Sequence, residues 1–86
     1  MAKCTIRYWA AAREAAGTAE EHVEAGTLGE ALEAACRTRA EDARFLRVLE
    51  VSSFLVDERP AGRRAHRDVA VAEGTVIEVL PPFAGG

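Results

Sequence analysis

The stretch from Thr27 to Cys36 restricts this chain more than any other. Thr27-Leu28-Gly29-Glu30 has the Ser/Thr-x-x-Glu form of a capping box, in which the threonine hydroxyl and the glutamate carboxylate satisfy amides left free in a first helical turn. Leu28, Ala31, Leu32, Ala35 and Cys36 then recur at the spacing of one helix face, a continuous apolar stripe. Such a helix needs an apolar surface to lie on. The chain has 86 residues, 49% of them hydrophobic, which is room for one small core. A domain of this size buries roughly 60–65% of its unfolded surface. Residues 1–86 are therefore read as a single domain, with 81–86 as an extended tail.

Strands flank the helix on both sides. From Lys3 to Trp9, Cys4, Ile6 and Tyr8 alternate with Lys3, Thr5, Arg7 and Trp9, a period of two. Ala10 to Ala16 is rich in the best helix former and ends at Gly17, a left-handed cap. Glu20 to Glu24, around Val23 and closed by Gly26, reads as a short strand that pairs with the first as a hairpin. Glu41 to Glu50 carries Phe45, Leu46 and Leu49 at helical spacing and predicts a shorter helical turn over the sheet edge. Ser53 to Val56 is a compact strand, Asp57-Glu58-Arg59-Pro60 is turn chemistry leading to another extended piece, and Val76 to Leu80 is the last strand. The first and last strands are the most apolar, so a central parallel pair formed by them, crossed by the main helix on one face, would bury both. The expected class is α+β: a mixed sheet of 4–5 strands with one main helix packed on one face, the ubiquitin-like β-grasp arrangement.

The last strand runs into Pro81-Pro82-Phe83-Ala84-Gly85-Gly86. Two prolines fix φ and cannot continue a central ladder, so the strand must end and the chain must leave the sheet extended. Gly85 and Gly86 have no Cβ, which lets the backbone thread a narrow channel and leaves a terminal carbonyl open to attack. Six residues reach roughly 20 Å when extended, enough to enter another protein's active site. The chain is thus read as ending on a projecting, free glycine carboxylate, against the plainer reading of a frayed end with two flexible glycines.

Composition removes most other chemistry. The net charge of −3, with Arg63, Arg64, His66 and Arg67 as the only basic cluster, supplies no phosphate-tracking face, so nucleic acid is excluded. That cluster is a solvated loop or a partner-docking patch. No apolar stretch is long enough to span a bilayer and no signal pattern opens the chain, which points to a cytoplasmic protein without membrane association. Cys4 and Cys36 have no metal-ligand spacing, so no metal is expected and both read as buried free thiols, Cys36 on the core face of the main helix. There is no phosphate loop, and His22 and His66 read as exposed histidines outside any nucleophilic constellation. The chain is not expected to be an enzyme on its own, nor to hold a cofactor. Its one unusual group is the terminal carboxylate, a poor electrophile until converted to a species such as an acyl-adenylate, from which sulfide could form a thiocarboxylate.

Tyr8-Trp9-Ala10 with Ala12-Arg13-Glu14-Ala15-Ala16-Gly17, Thr27-Leu28-Gly29-Glu30, and Val79-Leu80 with the tail together resemble the MoaD/ThiS family of ubiquitin-like sulfur carriers over essentially the whole chain. The resemblance implies that Gly86, next to Gly85, is adenylated by an E1-like enzyme using ATP, converted to a thiocarboxylate with a sulfurtransferase or other sulfide source, and used as a sulfur donor. Within the family the chain is most similar to the small subunit of molybdopterin synthase. There the resemblance implies that Pro81, Pro82, Phe83 and Ala84 enter the large subunit and that sulfur passes to cyclic pyranopterin monophosphate, in molybdenum cofactor biosynthesis. Thiamin-type carriers are usually shorter and lack a segment such as Glu41 to Glu50. A carrier for cysteine, thiamin or a sulfur-containing secondary metabolite would use the same tail. A protein tag joined to lysines, or a β-grasp interaction domain with an inert tail, is the alternative of a different class. Lys3, the only lysine, argues against self-linked chains.

Overall fold

A computed structural model describes residues 1–82. Strand β1, Ala2–Tyr8, lies in the interior of a five-stranded sheet and puts Cys4, Ile6 and Tyr8 on one face, each at most 1% exposed. It begins one residue earlier than its alternation predicts and ends one earlier. Trp9 leaves the ladder because helix α1, Ala10–Ala16, starts immediately after it. The helix ends at Gly17, whose φ of +79° is the left-handed conformation the sequence signals and whose N–H donates to the Arg13 carbonyl.

β2, Glu20–Ala25, returns antiparallel to β1 as the sheet's edge. β5, Val76–Leu80, lies parallel to β1 on its other side, with Thr5 beside Val76 and Tyr8 beside Val79. β3, Ser53–Val56, pairs antiparallel with β5, and β4, Arg59–Pro60, closes the other edge, giving the order β2-β1-β5-β3-β4. The two apolar strands thus form the central parallel pair that the sequence predicts. Asp57 and Glu58 connect β3 to β4 with φ of +50° and +68°. Positive φ at both central residues is what a two-residue type I′ hairpin demands. Asp57 accepts the strain because it is bonded twice to β5: its N–H donates to the Val76 carbonyl and its Oδ1 accepts from the Val76 N–H.

Helix α2, Leu28–Arg37, is capped by Thr27, whose hydroxyl oxygen accepts from the Glu30 N–H at 3.1 Å. The Glu30 carboxylate reaches back one residue further than the standard box, to the Gly26 N–H at 2.7 Å. Leu28, Ala31, Leu32 and Ala35 are buried. Cys36, expected on the same buried face, is only half-buried; it lies at the margin of the stripe, and the fully buried thiol is Cys4.

The segment read as a short helical turn is α3, Ala43–Val51, nine residues against ten in α2. Asp42 caps it, accepting from the Phe45 N–H, and Phe45 and Leu49 are buried. A 3₁₀ turn, His66–Asp68, packs on the start of α2 at Gly29, where an added Cβ would stand 3.3 Å from the Arg67 nitrogen. Val69 and Val71 follow it into the core, fastened by the Leu28 N–H to the Val69 carbonyl and the Val71 N–H to the Gly26 carbonyl. Side chains from the helices and from one sheet face form one apolar cluster, and the other sheet face is left uncovered by helices.

Candidate functional site at the exit of the last strand

β5 passes between the end of β1 and the start of β3. The Trp9 N–H donates to the Val79 carbonyl at 3.2 Å, and Leu80 is opposite Ser53. Beyond Leu80 the ladder stops, Pro81 is half-buried and Pro82 is exposed, as two prolines dictate. Phe83, Ala84, Gly85 and Gly86, four of the six residues assigned to the tail, lie outside the described residues.

Two exposed apolar side chains stand at the ends of the elements that flank this exit. Trp9 is 45% exposed and Val51 57% exposed; with Met1 they are the large apolar side chains most open to solvent among the described residues. Trp9 follows β1 on one side of β5, and Val51 ends α3 two residues before Ser53, the partner of Leu80 on the other. The indole is held over the sheet by its Nε1–H, which donates to Glu78 Oε2 at 3.0 Å. Ala10, next to Trp9, has a φ of +48°, an unusual conformation for alanine that places backbone strain beside the exit.

Among the described residues neither histidine joins a nucleophilic constellation at the exit. His22 is exposed on β2, and His66 is exposed with its ring edge-on to Phe54, 5.0 Å between centroids. Among the described residues no group of three or more His, Cys, Asp or Glu could hold a metal ion. Neither thiol is poised as a nucleophile. Burial pushes the Cys4 thiol up, helped by the charges of Glu73 and Asp57, and burial pushes Cys36 up against the lowering pull of Arg39. The basic cluster is divided in role: the Arg64 guanidinium donates to the Ala61 and Pro60 carbonyls and fastens the loop, whereas Arg63 and Arg67 are exposed.

A polar clasp the sequence did not suggest secures the far side of β1. The Tyr8 hydroxyl donates to Glu21 Oε2, which also accepts from the Arg39 guanidinium at 2.9 Å. Arg39 donates further to the Ala35 and Ala16 carbonyls and lies 4.7 Å from the centre of the Phe45 ring. Burial raises the Tyr8 phenol far above its ordinary value, reinforced by the hydrogen bond to Glu21 and its charge. The folded state therefore keeps protons on Tyr8, Cys4 and Cys36 that the unfolded chain releases above about pH 9–10. Stability is intact below that range and is lost as pH rises through it. Urea midpoints should fall between about pH 9 and 11, less steeply in Tyr8→Phe. A midpoint that stays flat to pH 11 in the parent chain would contradict this assignment.

Comparison with known proteins bears on this arrangement. The family model described as the ThiS family matches residues 6–86, from β1 through the tail. The chain belongs to the ThiS family. These are the ubiquitin-like sulfur carriers that its motifs resemble. Among solved structures it is similar to small archaeal modifier protein 1 from Methanosarcina acetivorans, with a TM-score of 0.82 and 20% identity over 100% of this chain and 98% of that one. The same modifier from Haloferax volcanii superposes with a TM-score of 0.78 and 26% identity over 98% and 99% of the two chains. A protein–protein complex of subunits 1 and 2 of the molybdopterin-converting factor from Helicobacter pylori matches with a TM-score of 0.68 and 19% identity, covering 98% and 99%. A search of the curated proteins found no match to this sequence. These likenesses bear out the ubiquitin-like α+β fold. Among the described residues no helix is long and apolar enough to cross a membrane.

Proposed function

We propose that this ThiS-family chain carries sulfur as a thiocarboxylate on Gly86 and gives it up to cyclic pyranopterin monophosphate in molybdopterin synthesis. An E1-like partner binds ATP, the Gly86 carboxylate oxygen attacks the α-phosphate, and pyrophosphate leaves. Hydrosulfide, or a persulfide with a reductant, from a sulfurtransferase then attacks the acyl carbon and expels AMP, so that one carboxylate oxygen is exchanged for sulfur. The large subunit of the synthase next receives the tail and supplies the catalytic groups, with Pro81, Pro82, Phe83 and Ala84 lining its channel and Gly85 passing the narrowest point.

The observation that carries this reading is the exit itself: a central strand leaves the sheet through two prolines beside the exposed Trp9, whose N–H is bonded to Val79. Such a site offers the start of a tail beside an exposed indole and, among the described residues, no catalytic constellation. The similarity to a converting-factor complex supports the choice of acceptor and of a large-subunit partner. Transfer tests it. Chain loaded with sulfur, mixed with the large subunit and cyclic pyranopterin monophosphate, should lose its sulfur to the pterin. Loaded chain that keeps its sulfur there, but yields it in thiamin or cysteine synthesis, would move the acceptor to those pathways.

A second reading rests on the higher TM-scores to the small archaeal modifiers. In it the activated glycine is joined to lysine amines of other proteins. Amide-linked conjugates in cells expressing the chain, absent without Gly86, would favour it.

A further inference from the structure

The two edges of the sheet are finished differently. β4 is two residues long and one of them is Pro60, which has no N–H, so that edge offers little to a further strand. β2 is six residues long, pairs with β1 at every position without a bulge, and contains neither proline nor lysine. The bond from the Tyr8 N–H to the Ala19 carbonyl sets its phase. Bonded residues alternate in an antiparallel pair, so Glu21, Val23 and Ala25 bond to β1 while Glu20, His22 and Glu24 turn their backbone groups outward. Local contacts close both ends of this outward row. The Thr18 hydroxyl donates to the Glu20 carbonyl at 3.0 Å, and at the other end the Gly26 N–H donates to Glu30 and the Gly26 carbonyl accepts from the Val71 N–H. Between them the N–H and C=O of both His22 and Glu24 have no partner among the described residues. On the helix side of this stretch Val23 and Ala34 are half-buried, and with Arg37 and Thr38 they border a hollow of about 680 Å³ along β2 and α2.

We infer that this edge receives the same edge of a second copy of the chain, the two β2 strands running antiparallel about a two-fold axis at Val23. Of the antiparallel registers, this one brings both open groups of both residues to a partner: His22 faces Glu24 of the second copy and Glu24 faces its His22, each pair exchanging two backbone bonds. The side chains agree with it. His22 and Glu24 are exposed and take part in no hydrogen bond or ion pair among the described residues, and the register sets imidazole across from carboxylate twice. On the helix side Val23 meets its own copy beside Ala34, and Glu21, whose charge Arg39 already answers, stands across from Ala25. An axis at His22 would instead set Glu20 directly across from Glu24, like charge on like. An axis at Glu21 would pair His22 with Glu20, whose carbonyl is taken, and leave Glu24 open. In the continuous sheet that results, β5 and its copy are five strand spacings apart, roughly 24 Å, and run in opposite directions. The two exits therefore point to opposite ends with Trp9 uncovered, and each tail stays accessible. The contact is one strand pair with a small apolar centre, so association is weak and follows concentration.

Sedimentation equilibrium of the full chain tests this. The average mass should climb from one chain's 9.2 kDa at about 10 µM toward twice that at about 1 mM. His22→Pro removes an outward N–H and no bond to β1, and an edge strand accepts proline at such a position. That variant should keep the parent's circular dichroism and stay at one chain's mass throughout. Glu24→Lys should weaken association by about tenfold, and His22→Glu/Glu24→Lys, which restores opposite charges across the axis, should recover it to within about threefold of the parent. Val23→Cys should form an intermolecular disulfide on mild oxidation that the parent, with Cys4 and Cys36 alone, does not form. A parent that keeps one chain's mass at about 1 mM would overturn the inference and leave the edge to an extended segment of another protein. A folded His22→Pro chain that associates like the parent would overturn it as well. Should the proline compromise folding, the charge exchange decides: a doublet no tighter than Glu24→Lys would overturn the register and the inference with it.

Discussion

Phe45→Ala should destabilise the chain by about 3–5 kcal/mol, a large fraction of what a domain of this size has to lose. Phe45 is 1% exposed, and its ring meets Tyr8 edge-on at 5.8 Å between centroids. Truncation therefore removes an apolar ring and one member of an aromatic pair, and it leaves a cavity under α3. It also takes away the surface on which the Arg39 guanidinium rests. Arg39 is bonded to carbonyls at the ends of α1 and α2 and to Glu21 of β2, so the loss spreads to three neighbouring elements. Urea denaturation of parent and variant measures the effect. A loss below about 1 kcal/mol would mean that α3 is an ornament on the sheet and not part of its core.

α3 is also where the sequence was least informative about size. Its apolar positions, Phe45, Leu46 and Leu49, were plain, but Arg44, Arg47 and Glu50 between them blur the pattern, and a turn and a nine-residue helix look alike. The elements with clean periodicity or unambiguous punctuation were legible to the residue: Ala10–Ala16 from its closing glycine, Ser53–Val56 from the Asp-Glu-Arg-Pro turn after it, Val76–Leu80 from the prolines. The parallel pairing of β1 with β5 was legible because only those two strands are apolar enough to be central.

Arg39 was not legible, since it stands between two helices in sequence and its partners come from α1, α2, β2 and α3. One signal did point to it. Glu21 shares its side of the sheet with Cys4 and Ile6, and a carboxylate placed toward a core needs a cation. Cys36 was misjudged for a local reason: at about 100° per residue it falls at one edge of the stripe and not along its middle. At the site, the exit and its prolines were readable, whereas the exposed pair Trp9 and Val51 was not, because they are 42 residues apart in the chain and meet the exit only through β1 and β3.

Gly85→Val, deletion of Gly86, and one residue appended to Gly86 should each abolish sulfur loading with no measurable loss of stability. Activation requires a carboxylate oxygen to reach the α-phosphate of ATP inside a partner's channel. A β-branched side chain at Gly85 widens the backbone at the point of entry, deletion moves the carboxylate back by one residue, and extension removes it from the position where adenylation occurs. Among the described residues the last member of the buried cluster is Val79, ahead of the tail. The direct measurement is the intact mass of the chain after incubation with ATP, a sulfide source and the E1-like enzyme. The parent should gain the difference between one sulfur and one oxygen, and the three variants should keep their starting masses. Sulfur on the extended form, without prior trimming, would contradict the account and leave the tail without a role in sulfur transfer.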